Sequence, residues 1–202
     1  MRSETGLRRL VNFSDAVVAI AITLLILPLV DVAGAIGSTG VGHFLDVNRD
    51  KLLAFALSFA VIGNFWWAQH QQFERVKKYN AVLVGGMFLW LLSIVFLPFP
   101  TELLGAAKHG STGVNAIYIG TLLVATIAGL IQQWAIVRWP DLQDDAVRGE
   151  ATLVSALIAT SVMAVVFVSV IAVPAIGLWA LLLLLASRPV EYVISRQRQP
   201  QG

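Results

Sequence analysis

Cysteine is absent from the 202 residues, which excludes disulfides, iron–sulfur clusters and thiolate metal sites. Charge is scarce as well: 13% of residues are charged and 57% are apolar, against about 25% and roughly 45–50% in an ordinary soluble domain. No connection between the apolar stretches is longer than about 20 residues, so no extramembrane domain with its own core has room to fold. A large soluble enzyme domain is excluded by these shortages. The net charge of +2 is too small to point to nucleic acid. What remains are apolar runs of about 20 residues or more, the length that crosses a bilayer core. The fold class is therefore all-α, a polytopic membrane protein.

The runs extend over Leu10 to Val30, Leu52 to Phe73, Ala81 to Leu104, Val114 to Val137 and Ala151 to Ala186. The last contains 36 residues, too many for one span, and Pro174 and Gly177 near its middle supply a break. Dividing it at a turn near Val173 to Ile176 gives six spans in one transmembrane domain covering 1–202. Their approximate limits are 10–30, 52–73, 81–104, 114–137, 151–172 and 175–187. Arg8 and Arg9 before an apolar run invite a signal-peptide or twin-arginine export reading. The run is longer than a signal core and carries Asp15, and more membrane follows it.

Six spans place both ends of the chain on one side. Arg2, Arg8, Arg9, Arg75, Lys77, Lys78, Arg138, Arg148, Arg188, Arg196 and Arg198 fall on that side, and only Arg49, Lys51 and Lys108 on the other. The split of the 14 lysines and arginines is thus 11 to 3. Short cytoplasmic loops keep such residues, so both termini are expected in the cytoplasm of a cell in whose plasma membrane the protein sits. Trp66, Trp67 and Trp139 lie near span ends, as interfacial anchors do.

Polar residues inside the spans are few and informative. An acid in hydrocarbon costs about 2.5–3.5 kcal/mol or more, which marks Asp15 in the first span as a functional candidate. The second span descends to the same side and brings His70 to a matching depth, so His70 is the expected partner of Asp15. Trp67 and Asn64 lie three and six positions before His70 and extend a polar and aromatic stripe. The plain reading is a clamp between helices, the sharper one a proton relay or a bound metal. One carboxylate and one histidine make a thin donor set for a metal or for catalysis. Asn64, Gln132 and Gln133 are expected to hydrogen-bond between helices, and His43 and His109 fall in the connections. Ile20, Thr23, Leu24 and Leu27 share one face of the first helix, and from periodicity alone they form a packing seam.

The spacing R-x-x-x-F-S-D formed by Arg9, Phe13, Ser14 and Asp15 opens the first span. It resembles the signature of the potassium channels related to the endolysosomal transmembrane protein 175, in their prokaryotic form. Trp67, His70 and Phe73 fit that family's W-x-x-H-x-x-F, and Leu97, Pro98 and Phe99 look like its leucine–proline–phenylalanine exit from the third helix. The resemblance is strong over the first half and rests on length and order beyond it.

What it implies is a homotetramer of six-span subunits in the bilayer, with the pore lined by the first helix. No T-V-G-Y-G occurs, so a filter of stacked carbonyls is not expected. The resemblance places Ile20 at an apolar constriction and Thr23 at a hydroxyl ring, with Leu24 and Leu27 continuing the face, which turns the seam into a pore lining. Potassium is then the permeant ion, passing near Ile20 and Thr23 with modest preference over sodium, and no cofactor is implied. Arg9, Phe13, Ser14, Asp15, Asn64, Trp67 and His70 become a structural clamp. A proton-coupled secondary transporter using Asp15 and His70 is the rival function; an enzyme is not expected.

Overall fold

The computed structural model describes residues 4–34, 40–106, 111–149 and 151–172. Among them are eight α-helices: α1 (Glu4–Leu24), α2 (Leu27–Ala33), α3 (Val41–Val47), α4 (Arg49–Glu74), α5 (Ala81–Phe96), α6 (Pro98–Ala106), α7 (Thr112–Arg138) and α8 (Val154–Ala172). Five stretches are long and apolar enough to cross a membrane: Glu4–Ala33, Arg49–Glu74, Ala81–Ala106, Thr112–Arg138 and Val154–Ala172. Each falls on one of the five apolar runs. The sixth expected span, 175–187, and the turn before it lie outside the described residues.

Two of the five spans are interrupted, each at a proline. Pro28 has no N–H to give the Leu24 carbonyl, and its ring crowds that carbonyl. The amides of Leu25 and Ile26 therefore turn to carbonyls three residues back, Ile22 at 3.3 Å and Thr23 at 3.4 Å. A tighter, poorer turn results, and the helix resumes at Leu27 with Pro28 in its first turn. Pro98 acts in the same way between α5 and α6. The expected exit of the third helix at Leu97 to Phe99 is instead a junction, because a proline at the first position of a helix costs no hydrogen bond. The chain stays helical to Ala106.

The core of the subunit is built on α7, which packs between α5 and α8, while α4 lies along α6. Trp90, Tyr118, Ile62 and Leu83 are fully enclosed there. Polar groups in the core are joined in chains. Thr101 Oγ1 donates to the Leu97 carbonyl at 2.8 Å, so Ser58 donates to Thr101 at 2.8 Å and the Tyr118 hydroxyl donates to Ser58 at 3.1 Å. Three hydroxyls thereby tie α4, α6 and α7 with every proton assigned. Nearer the other end of α4, Gln69 Nε2 donates to Gln132 Oε1 at 2.7 Å, the interhelical role expected of Gln132.

The connections on the N-terminal side form a compact strap. Lys77 N donates to the Leu142 carbonyl at 2.8 Å, and Asp144 N donates to the Arg75 carbonyl at 2.9 Å. The Lys77 ammonium lies 3.2 Å from Asp145 and 3.8 Å from Glu4 in the first turn of α1. The Asp145 hydrogen bond, followed by the charges of Asp145, Asp144 and Glu4, raises the Lys77 pKa above its ordinary value. Gly6 lets α1 approach the same strap: a Cβ there would meet the Tyr79 hydroxyl at 2.5 Å.

Adjacent glycines on α5 allow a paired test of helix packing. A Cβ on Gly86 would meet Gln132 Cγ at 2.8 Å and the Ala128 carbonyl at 3.4 Å, whereas one on Gly85 would meet nothing within 4 Å. Gly86→Ala is expected to destabilise the subunit by about 1–3 kcal/mol through forced separation of α5 and α7. Gly85→Ala is expected to be neutral, or stabilising by up to about 1 kcal/mol. Thermal unfolding of the purified variants in detergent checks both; equal midpoints for the two would contradict the packing.

Candidate functional site

The first helix has two unlike faces. Leu7, Ser14, Val18 and Ala21 of α1 are buried, and Leu25 and Leu29 continue the same line across the Pro28 break. Small side chains at Ser14 and Ala21 bring the helix close to its neighbours, which in hydrocarbon is how helices adhere. These residues face α4 and α5. Roughly opposite, at about 100° per residue, stand Ile20, Thr23, Leu24 and Leu27. Ile20 is 60% exposed, Leu24 39% and Leu27 49%, and Thr23 is exposed. The stripe is therefore turned away from the other described helices and is not a seam with them. It is also not one unbroken helix: Leu27 belongs to α2, beyond the Leu25 and Ile26 turn.

The hydroxyl of Thr23 is oriented by its neighbour. Thr23 Oγ1 donates to the Ile20 carbonyl at 2.7 Å, so its proton is engaged by the backbone and its oxygen lone pairs are left to face outward. A hydroxyl held in this way is a cation acceptor rather than an anion donor.

At the N-terminal end, the partner of Asp15 differs from the one expected. Trp66 Nε1 donates to Asp15 Oδ1 at 2.8 Å. His70 lies one turn beyond Trp66, stacked on its ring at 5.5 Å between centroids and on Trp67 at 6.0 Å. The Nε2 of His70 is 3.4 Å from Glu74 on its own helix. Trp66 and His70 share one face of α4; the indole reaches the acid, while the His70 ring is turned to Glu74 one turn further on. The expected Asp15 to His70 contact is thus replaced by a hydrogen bond to Trp66 backed by an aromatic stack. A proton relay would have to pass through an indole N–H, which has no acceptor lone pair.

The other signature residues surround this bond. Ser14 is 3% exposed on the packed face, Phe13 is half-exposed with its ring 6.2 Å from Phe88, and Arg9 is exposed before Asp15 in the sequence. Asn64 is half-buried on α4, and Trp67 is half-exposed. Sequence reasoning treated Trp66 only as an interfacial anchor. Its spacing of four from His70 was the available signal, since residues i and i+4 share a helix face. Among the described residues no group of three His, Cys, Asp or Glu is placed to hold a metal ion.

Trp66→Phe keeps the aromatic stack and removes the donor to Asp15. It is expected to cost about 1–2 kcal/mol, the range for a hydrogen bond to a polar group at membrane depth. His70→Phe, which leaves that bond intact, is expected to cost less. Unfolding midpoints in the same detergent rank the two, and the reverse order would restore His70 as the residue that holds the acid.

Comparison with known proteins agrees with this architecture. The family described as endosomal/lysosomal potassium channel TMEM175 matches residues 9–98, which include the first three spans up to Pro98. A potassium channel of Streptomyces collinus is 33% identical over 152 residues, covering 74% of this chain and 72% of the relative. One from Chamaesiphon minutus is 36% identical over 129 residues, covering 62% and 63%. The crystal structure of a lysosomal potassium-selective channel TMEM175 homolog from Chamaesiphon minutus superposes with a TM-score of 0.78 at 24% identity, covering 93% of this chain and 98% of that one. The signature at the start of α1, the helical order and these matches place the chain in the TMEM175 family of potassium channels, in its prokaryotic form.

Proposed function

We propose that this protein is a potassium-permeable cation channel in which several copies, four by the family resemblance, bring their first helices together around a pore. The observation that carries the reading is the exposed stripe of Ile20, Thr23, Leu24 and Leu27 on the first span, opposite its packed face. An apolar face that the other described helices leave bare faces lipid or, in the proposed assembly, other copies. Along a pore the Thr23 hydroxyl within it, its proton engaged by the Ile20 carbonyl, supplies an oxygen acceptor to the aqueous path. The proposed subunit is one domain of six spans over 1–202, the sixth at 175–187. Its termini are cytoplasmic and its setting is the plasma membrane.

Four Ile20 side chains around an axis form a neck that excludes water when narrow and passes hydrated or partly hydrated ions when wider, the dewetting gate of other pores. Leu24 and Leu27 extend it. Thr23 oxygens replace part of a cation's hydration shell. Potassium holds its water less tightly than sodium, so the preference is modest and set by dehydration. Arg9, Phe13, Ser14, Asp15, Asn64, Trp67 and His70 act indirectly, by fixing the rotation of α1 so that Ile20 and Thr23 face the axis. The reading is of a channel, not an enzyme or a proton-coupled transporter.

Two experiments follow. Potassium efflux from liposomes holding the purified protein is expected to exceed sodium efflux, to be absent for a large organic cation, and to rise with Ile20→Asn, which wets the neck. Unchanged flux in Ile20→Asn would move the constriction elsewhere. Asp15→Ala is expected to abolish the assembled oligomer on size exclusion; an intact oligomer with altered conductance would place Asp15 in the ion path.

A further inference from the structure

The first span is attached to its subunit unequally along its length. The part before the break, α1, is held by Leu7, Ser14, Val18 and Ala21 and by the Asp15 to Trp66 hydrogen bond. The part after it, α2, has Leu29 as its buried residue among seven. Between the two, Leu25 and Ile26 make long bonds of 3.3 and 3.4 Å to carbonyls three residues back, and Pro28 supplies no amide. Proline breaks and short tight turns of this kind are where helices bend.

A small cleft open to the surface, with space for about one water molecule, borders the break; it is lined by Leu25, Pro28 and Leu29 on one side and by Phe55, Thr101 and Glu102 on the other. The exposed stripe is divided by the same break: Ile20, Thr23 and Leu24 lie before it and Leu27 after it.

We infer that residues 27–33 form a separately moving outer segment of the first span, pivoting at Leu25 to Pro28. The consequence for conduction rests on the pore reading above: the width at Leu27 changes independently of the width at Ile20. The inner ring is fixed by the clamp, and the outer ring is adjustable. Closing at Leu27 then needs no disturbance of the Asp15 to Trp66 bond.

The absence of cysteine makes a direct test simple, since introduced cysteines are the sole labelling sites. Nitroxide pairs at Ala16→Cys with Leu157→Cys, and at Val30→Cys with Leu157→Cys, are placed in the full chain, reconstituted in liposomes and diluted with unlabelled chains so that distances are within one subunit. The 30–157 distribution is expected to be at least about twofold broader than the 16–157 distribution. Pro28→Ala, which restores the amide and joins the two helices, is expected to narrow it to the width of 16–157 and to lower potassium flux. Leu29→Ala is expected to broaden it. Equal widths in the unsubstituted background, or no narrowing in Pro28→Ala, overturns the pivot. Narrowing with unchanged flux, while Ile20→Asn still raises flux, overturns its role in conduction. Narrowing when neither Pro28→Ala nor Ile20→Asn alters flux leaves the pivot standing and removes the pore reading instead.

Discussion

A carboxyl group eleven residues into a membrane-crossing helix has to be satisfied by protein, because hydrocarbon supplies no hydrogen bond. Asp15 is satisfied by the indole of Trp66, and this single bond fixes the rotation of α1 about its own axis. Asp15 lies at the edge of the packed face, about 60° around the helix from Val18 and about 180° from Leu24. Ser14, Val18 and Ala21 are buried, and Ile20, Thr23 and Leu24 are exposed. The chemistry of the exposed stripe thus depends on an interaction two turns away that takes no part in it.

The hydrophobic effect does not hold such a helix in place, since lipid tails are as apolar as a leucine side chain. Adhesion comes from close approach and from polar bonds, and both are distributed unevenly. The scaffold of α4, α5, α6 and α7 has the Ser58, Thr101 and Tyr118 chain, the Gln69 to Gln132 bond and the tight contact at Gly86. The first span has Ser14, Ala21 and Asp15 in its inner half and little beyond. On the proposed pivot, rigid and adjustable parts follow the placement of a few small and polar residues, not the placement of apolar bulk.

The same physics explains what the sequence disclosed. Apolar runs of bilayer length stand out against scarce charge, so the five described spans were legible to within a few residues, and Asp15 stood out because a lone acid there is costly. Its partner was not legible. Depth along a helix pointed to His70, but reach and direction of the side chain decide, and an indole one turn earlier gets there first. The resemblance marked Leu97 to Phe99 as a helix exit inside a span expected over 81–104, and Pro98 is a junction within it, because a proline at a first helical position looks the same in sequence whether a helix stops or restarts after it. Ile20 to Leu27 formed a visible stripe whose meaning periodicity could not give: a seam and a pore lining share one pattern, and they differ only in which side the rest of the subunit occupies.

That last distinction also bears on why Thr23 sits where it does. A threonine in a lipid-facing helix commonly returns its proton to a backbone carbonyl, and Thr23 does so with Ile20. The bond removes the donor and leaves the acceptor, which makes the exposed face slightly electronegative without placing a charge in the membrane. A carboxylate at the same position would bind a cation tightly and release it slowly, whereas conduction needs binding weak enough to leave. In the proposed pore, the Thr23 hydroxyl supplies attraction where the Ile20 ring supplies the barrier, and the two lie within one turn of a single helix. On that proposal, placing both on the inner half with the Asp15 to Trp66 bond keeps attraction and barrier aligned while the segment beyond Pro28 varies.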